Sequence, residues 1–283
     1  MTKKVKKLVL AASGFGTRFL PITTSLPKEM FPIIDKPVFQ YVLEEGLIKG
    51  IEELILVVSK DKWILLDYIK RSKDKNFQKL LKSVKITIVY RKPELLGNAA
   101  PVLSAKKYLK DDPFVVLWAD SFGLRKDNRI GKMLSTYLTV QKPVVCLFPF
   151  FERARYIYAV PKVEKVSKDL LIVKRIFEKP GNKKIASPYC FGNGYLLEPN
   201  IFDYIERLKP TEKGELVLEE AVDAYCQKNL TYGMVFRDEF FEAGNKQDFI
   251  KTSLKLLLYR EDLKDSYFQI LEELHKEVYT STG

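Results

Sequence analysis

Four residues close together in the sequence, Gly14, Gly16, Arg18 and Lys28, have the types and spacing for phosphate chemistry. Glycines leave backbone N–H groups bare and give a phosphate room to approach, while two cations supply countercharge. Pro21, Pro27 and Pro32 stiffen the same stretch, so less entropy is lost when a ligand orders it. A tight turn carrying two surface cations would use the same residues, and this spacing alone leaves both readings open. Two familiar phosphate loops fit poorly. In the dinucleotide turn GxGxxG a third glycine lets a helix pack behind the loop; here Phe19 stands at that place and Pro21 follows. The pattern GxxxxGK[ST] is absent.

The rest of the composition narrows the chemistry further. The one histidine, His275, lies in the helical-looking run ILEELHKEVY and reads as a solvated helix position, so mechanisms built on a histidine base have little to work with. Catalysis would have to rest on carboxylates, cations and metal ions. Cys146, Cys190 and Cys226 lie far apart with no CxxC spacing, which suggests buried thiols and neither disulfides nor zinc. A formal charge of +12 points to an anionic partner. Basic and aromatic residues do not interleave as in single-strand binders, so phosphorylated small molecules are favoured over nucleic acid. No apolar run approaches the ~20 residues of a membrane span, and the stretch after Lys3, Lys4, Lys6 and Lys7 is too short for a signal peptide. The expectation is a cytoplasmic protein without a membrane partner.

The elements that must position these residues alternate. Strands are expected at 7–12, 53–59, 85–90, 113–120 and 143–149, and helices at 38–49, from Asp61 as cap through WILLDYI, from 97 through GNAAPVLSAKKYL, and at 129–140. Strands apolar on both faces between helices indicate a mostly parallel sheet. After residue 150 the pattern turns mixed. Strands at 156–166 and 171–180 flank SKD as a hairpin, followed by a strand at 188–197, helices at 199–207 and 215–228, the strand TYGMVFRDE, and helices from 246 to 278. Apolar stripes at Leu254, Leu257, Leu258, Leu271 and Leu274 suit either internal packing or a homo-oligomer interface. No repeat or linker divides the chain, so a single domain over 1–283 is expected.

The run GFGTRFLPITTSLPKEMFPIIDKPVFQYVLEEGLIKGI resembles the signature of the nucleoside-triphosphate:sugar-1-phosphate transferases, most closely the bacterial UTP:glucose-1-phosphate uridylyltransferases. Further echoes follow in order: LLGNAA at 95–100, LWAD at 117–120, FEKP at 177–180, NGYLLEPNIFDYI at 193–205, GELVLEEAV at 214–222 and FFEAGNKQDFI at 240–250. The resemblance implies an α/β, Rossmann-like fold: a mostly parallel mixed sheet flanked by helices, with a small sugar-binding β lobe. It divides the domain into a nucleotide-binding half at 1–150, a sugar-binding half at 151–245 and C-terminal helices at 246–283.

It also implies roles. Arg18, Lys28 and Lys179 would be catalytic cations, and Gly14, Gly16 and Thr17 would hold the nucleotide. Asp120 would bind Mg²⁺, with Glu242 as second carboxylate where the family has aspartate. Glu178 would take sugar hydroxyls and Lys179 the sugar phosphate; Asn193, Gly194 and Ala159, the last replacing a glycine, would line the hexose pocket, and Glu215 lies at a nearby family position. The family's base-reading glutamine and glycine fall on Tyr90 and Leu95, and its GHA becomes Gly97, Asn98 and Ala99. Backbone groups of Ala11, Ala12 and Gly97, with Tyr90 stacking on the base or hydrogen-bonding to it, would then read the pyrimidine. The expected reaction converts UTP and glucose 1-phosphate into UDP-glucose and pyrophosphate. Two alternatives stay open: the same chemistry with another nucleotide or sugar (dTTP with glucose, GTP with mannose, an N-acetylated sugar), or a non-catalytic nucleotide-sugar binder.

Overall fold

The computed structural model describes residues 2–183 and 187–280; residue 1 and 281–283, at the ends of the expected domain, lie outside the described residues. The strands are β1 (Lys7–Ala12), β2 (Pro32–Ile33), β3 (Lys36–Pro37), β4 (Glu53–Val58), β5 (Lys85–Tyr90), β6 (Phe114–Trp118), β7 (Ser121–Gly123), β8 (Val144–Pro149), β9 (Val160–Lys165), β10 (Leu170–Phe177), β11 (Tyr189–Leu197), β12 (Tyr232–Val235) and β13 (Phe240–Glu242). The helices are α1 (Val38–Gly46), α2 (Trp63–Arg71), α3 (Lys75–Lys82), α4 (Ala99–Leu109), α5 (Arg129–Val140), α6 (Ala154–Ile157), α7 (Phe202–Ile205), α8 (Leu218–Cys226), α9 (Lys246–Leu257) and α10 (Lys264–Thr280).

Nine strands form one sheet in the order β5-β4-β1-β6-β11-β8-β12-β10-β9. Only β10 and β11 run against the others, so the sheet is mixed and mostly parallel. β1 sits between β4 and β6 with all six residues buried, as its unbroken apolar run requires. Its first residue is a lysine, made tolerable by its surroundings. Lys7 Nζ donates to the carbonyls of Tyr108 and Leu109 at 2.9 and 3.1 Å, at the negative C-terminal end of α4, and pairs with Asp112 at 2.9 Å. Helix α1 lies close on the sheet because Gly46 has no side chain: a Cβ there would sit 2.7 Å from Leu8 Cδ2. Among the described residues no helix is long and apolar enough to cross a membrane.

Several local expectations change. Helix α2 begins at Trp63 behind Lys62 with no side-chain cap, so Asp61 does not cap it. Instead Asp74 caps α3, an unexpected helix, by accepting from the N–H groups of Asn76 and Phe77 at 2.9 and 3.0 Å. The stretch expected to begin a strand at 156 starts as α6 and becomes β9 only at Val160. The β9–β10 hairpin closes around Ser167, whose N–H donates to the Leu170 carbonyl at 2.9 Å. TYGMVFRDE supplies β12, and β13 follows it to pair with β7 in a separate two-stranded ribbon.

Candidate active site

At the carboxyl ends of β1 and β6, where open parallel sheets leave room for ligands, the chain forms a cleft of about 450 Å³. Ala11, Gly14, Gly16, Thr17, Arg18, Lys28, Gly97, Asp120, Glu178, Lys179 and Glu215 all line it. Residues expected from separate motifs thus meet in one cavity.

The glycine loop is built tightly. Gly16 takes φ +67°, which favours glycine, and its carbonyl accepts from Thr23 Oγ1 at 2.9 Å. Gly14 is different: a Cβ there would meet nothing within 4 Å, so the open space belongs to the cleft and not to packing. Beyond the loop, Phe19 packs edge-on against Phe31 and Phe249 with ring centroids 4.9 and 6.1 Å away, tying the segment to α9.

Lys28 and Asp120 form a close, partly buried ion pair in the floor of the cleft. Burial would push the Asp120 carboxyl up, but Lys28, through charge and hydrogen bond, and then Lys62 and Arg18 hold it below its ordinary value. Burial would likewise lower Lys28, and the charges of Asp120 and Glu29 outweigh it. Behind this pair Lys62 contacts Glu29 at 2.7 Å, both almost wholly buried. At Gly244 a Cβ would lie 3.3 Å from Asp120 Oδ2 and 4.0 Å from Arg18 Nη1, so the missing side chain keeps these groups accessible.

The second lysine pair differs. Glu178 and Lys179 lie 2.9 Å apart, with Lys179 half-exposed and held at φ +38°, an uncommon backbone state for lysine. Burial and then the neighbouring Glu219 carboxylate push Glu178 up to about 7 despite its lysine.

Glu242 is not among the residues lining this cleft; it lines an adjoining cavity of about 550 Å³ with Tyr158, Cys190, Phe191 and Asp248. It nevertheless stands just behind Asp120. Glu242 is paired with Ser121 across the β13–β7 ribbon, and the next N–H, of Ala243, donates to the Asp120 carbonyl at 2.8 Å. Its Oε1 is buried with no hydrogen-bond partner, and burial followed by the Asp120 charge pushes its carboxyl up to about 8. Two neighbouring carboxylates, one with an orphaned oxygen, fit a hard divalent cation that also takes phosphate oxygens. Among the described residues there is no cluster of three or more His, Cys, Asp or Glu that could hold a metal by itself.

Five other expected residues stay outside the cleft lining. Tyr90 ends the edge strand β5 and is 51% exposed, its side chain turned from the cleft that the next residue, Arg91, enters. Successive side chains of a strand face opposite ways. Ala12 is fully buried in the core, and Ala159 is buried while its carbonyl accepts from Phe191 N–H at 2.8 Å. Asn193 and Gly194 lie in a bulge of β11, where the register against β8 shifts between Phe191 and Tyr195. Asn193 is already engaged: its amide donates to Ser121 Oγ and its carbonyl accepts from Arg129. Arg129 is itself fully buried, bidentate to Glu45 at 2.6 and 2.8 Å, with Phe240 under its guanidinium at 4.8 Å. This network fixes the bulge from behind.

Gly97 is required by close approach. It has φ +89°, and a Cβ would come within 2.3 Å of the Leu216 carbonyl. Asn98 pins the same segment, its Oδ1 accepting from Leu218 N–H at 2.8 Å and its Nδ2 donating to Glu219 at 2.7 Å. Sequence reasoning missed Phe15, Arg91, Leu96, Pro101 and Trp118 as lining residues. For Arg91 a signal existed: a cation at the carboxyl end of a parallel strand.

Comparison with known proteins agrees with the resemblance. A family model described as nucleotidyl transferase matches residues 6–258. The chain is 30% identical over 286 residues to UTP--glucose-1-phosphate uridylyltransferase 1 of Staphylococcus saprophyticus subsp. saprophyticus, covering 96% of this chain and 100% of the relative. It is 32% identical over 297 residues to the UTP--glucose-1-phosphate uridylyltransferase of Streptococcus pneumoniae serotype 4, covering 98% and 99%. A crystal structure of a UDP-glucose pyrophosphorylase complexed with UDP-glucose superposes with a TM-score of 0.82 at 27% identity, covering 88% of this chain and 97% of that one. From residue 6 to 258, and along nearly the whole of both relatives, this chain belongs to the nucleotidyl transferase family.

Proposed function

We propose that the chain transfers the uridylyl group of UTP to glucose 1-phosphate, giving UDP-glucose and pyrophosphate. The observation that carries this is the meeting of Arg18, Lys28, Asp120 and Lys179 around one cleft, in a chain whose relatives bear that activity in their names. An oxygen of the sugar phosphate attacks the α-phosphorus in line, and pyrophosphate leaves on the far side. The attacking oxygen is already anionic at neutral pH, so no general base is needed, in keeping with a chain that has one histidine. The protein's task is to align two anions that repel each other and to stabilise the charge that builds between them.

The glycine loop offers its N–H groups to the triphosphate, and Arg18 and Lys28 add positive charge beside it. Lys179 holds the sugar phosphate, and Glu178, when ionised, accepts hydrogen bonds from sugar hydroxyls. Asp120 and Glu242 would hold Mg²⁺, which when bound neutralises charge on the triphosphate and on the departing pyrophosphate. We place the reaction in the cytoplasm, where nucleoside triphosphates and sugar phosphates are available.

Pyrophosphate release, measured for UTP, dTTP, CTP and GTP against glucose, mannose and N-acetylglucosamine 1-phosphates, tests this reading. UTP with glucose 1-phosphate should give the highest kcat/KM. A different best pair reassigns the substrates, and turnover with none, alongside tight UDP-glucose binding, makes the chain a binder.

A further inference from the structure

Arg91 follows β5 directly, is only 7% exposed, and lines the cleft. Its Nη1 donates to the Lys92 carbonyl at 3.1 Å and closely to the Leu95 carbonyl, and its guanidinium lies over the Phe15 ring at 5.1 Å. Among the described residues no carboxylate forms an ion pair with it; Asp61 and Glu94 act on it only through longer-range charge. Nor does any hydrogen bond among those residues use its Nε or Nη2. A buried cation without a countercharge is costly, and burial depresses its pKa accordingly. Arg129, which is fully buried, is by contrast paired with the Glu45 carboxylate. Arg91 thus keeps donor capacity that the protein leaves unspent at the edge of its ligand cleft.

Sheet order says which part of a ligand it meets. Arg91 enters from the β5 flank and Glu178 and Lys179 from β10 on the other flank, while the loops after β1 and β6, carrying Arg18, Lys28 and Asp120, lie between. With the phosphates over the middle and the sugar ester at Lys179, the nucleobase falls to the Arg91 flank.

We propose that Arg91, backed by Phe15, is the residue that selects the base, by donating to the C4 carbonyl oxygen of a uracil-type ring. This rests on the uridylyl-transfer reading above. A guanidinium has only donors, so its partner must be an acceptor. A cytosine in the same place sets its exocyclic amino group against those donors, and both sides lose their hydrogen bonds. The role that the family gives to a glutamine is in this chain moved one residue along the strand, to the side chain that faces inward.

The test measures binding and turnover together. Affinities of UTP and CTP are determined by titration calorimetry, and kcat/KM of each with glucose 1-phosphate, for the wild type, Arg91→Met and Arg91→Lys. The wild type should prefer UTP. In Arg91→Met the UTP/CTP ratio should fall roughly 10- to 100-fold, mainly through KM with kcat little changed, because the contact is the same in ground and transition states. Arg91→Lys, which keeps a donor cation, should hold most of the preference. Equal losses for UTP and CTP in Arg91→Met would mean that Arg91 only braces the 92–95 turn, and would overturn the proposal, as would a wild type indifferent between the two. Should Arg91→Met fail to fold, Arg91→Gln carries the same comparison: its amide offers both a donor and an acceptor, so the UTP/CTP ratio should fall, and equal losses for both nucleotides would again overturn the proposal. A binding preference that collapses in the variant of a protein without turnover would sink the reaction and leave the base reader standing.

Discussion

The two lysine–carboxylate pairs of the cleft look alike in sequence and behave differently in the fold. Lys28 and Asp120 come from loops 92 residues apart, and their side chains are 15% and 22% exposed. Lys179 and Glu178 are chain neighbours, and the lysine is 50% exposed. In the first pair each charge stabilises the other, so Asp120 sits below and Lys28 above its ordinary value. In the second, burial and Glu219 overcome the lysine and bring Glu178 to about 7. The Lys28–Asp120 pair thus keeps both its charges across physiological pH, whereas Glu178 titrates within it.

Removing either lysine or neutralising Asp120 should give the largest effects. Lys28→Ala and Lys179→Ala should each lower kcat by roughly 10²–10³-fold, about 2.7–4 kcal/mol, by analogy with loss of an oxyanion donor. Asp120→Asn should cost at least as much, and steady-state pyrophosphate release reads all three. Near wild-type rates in Lys179→Ala would detach the sugar phosphate from that residue.

Stability should then separate the pairs. Lys28→Ala leaves Asp120 without its partner in a largely buried site, and should lose about 1–3 kcal/mol in urea unfolding. Lys179→Ala removes a half-exposed lysine and should stay within about 0.5 kcal/mol of wild type. Equal losses would erase the distinction drawn here.

The pH dependence is smaller and sharper. Between its ordinary value and about 7, Glu178 holds a proton when folded that it releases when unfolded. The unfolded state therefore binds fewer protons, and stability falls as pH rises through that window, with a slope of at most about 1.4 kcal/mol per pH unit. Binding runs the other way: KM for glucose 1-phosphate should fall as pH rises through about 7 and Glu178 ionises. Glu178→Gln should remove that inflection and leave the ionisation of the sugar phosphate itself, near pH ~6, as the remaining one. An unchanged profile in the variant would mean that Glu178 does not meet the sugar.

Much of the cleft was legible because its pieces are local. The glycine loop, Asp120 and the Glu178–Lys179 pair each lie at the end of a strand whose apolar run is plain in the sequence, and ligands gather at strand ends. What was not legible depends on register or on distant partners. Tyr90 and Arg91 are adjacent, and only the strand's pleat decides which one faces the cleft. Arg129 opens a helix like any surface cation; its burial depends on Glu45, 84 residues earlier, and on the β11 bulge it supports. The shared motif around Asn193 suggests a sugar ligand, yet its side-chain amide donates to Ser121 and its main-chain carbonyl accepts from Arg129, partners that lie far away in the sequence. β11 itself, reversed in the middle of the sheet, looks in sequence like any buried strand.

A crystal structure of the protein with UDP-glucose and Mg²⁺ bears most directly on the central claim. The diphosphate should lie against the glycine loop between Lys28 and Lys179, with the hexose beside Glu178 and the metal on Asp120. A product bound elsewhere, or a diphosphate out of hydrogen-bond reach of both lysines, would contradict it.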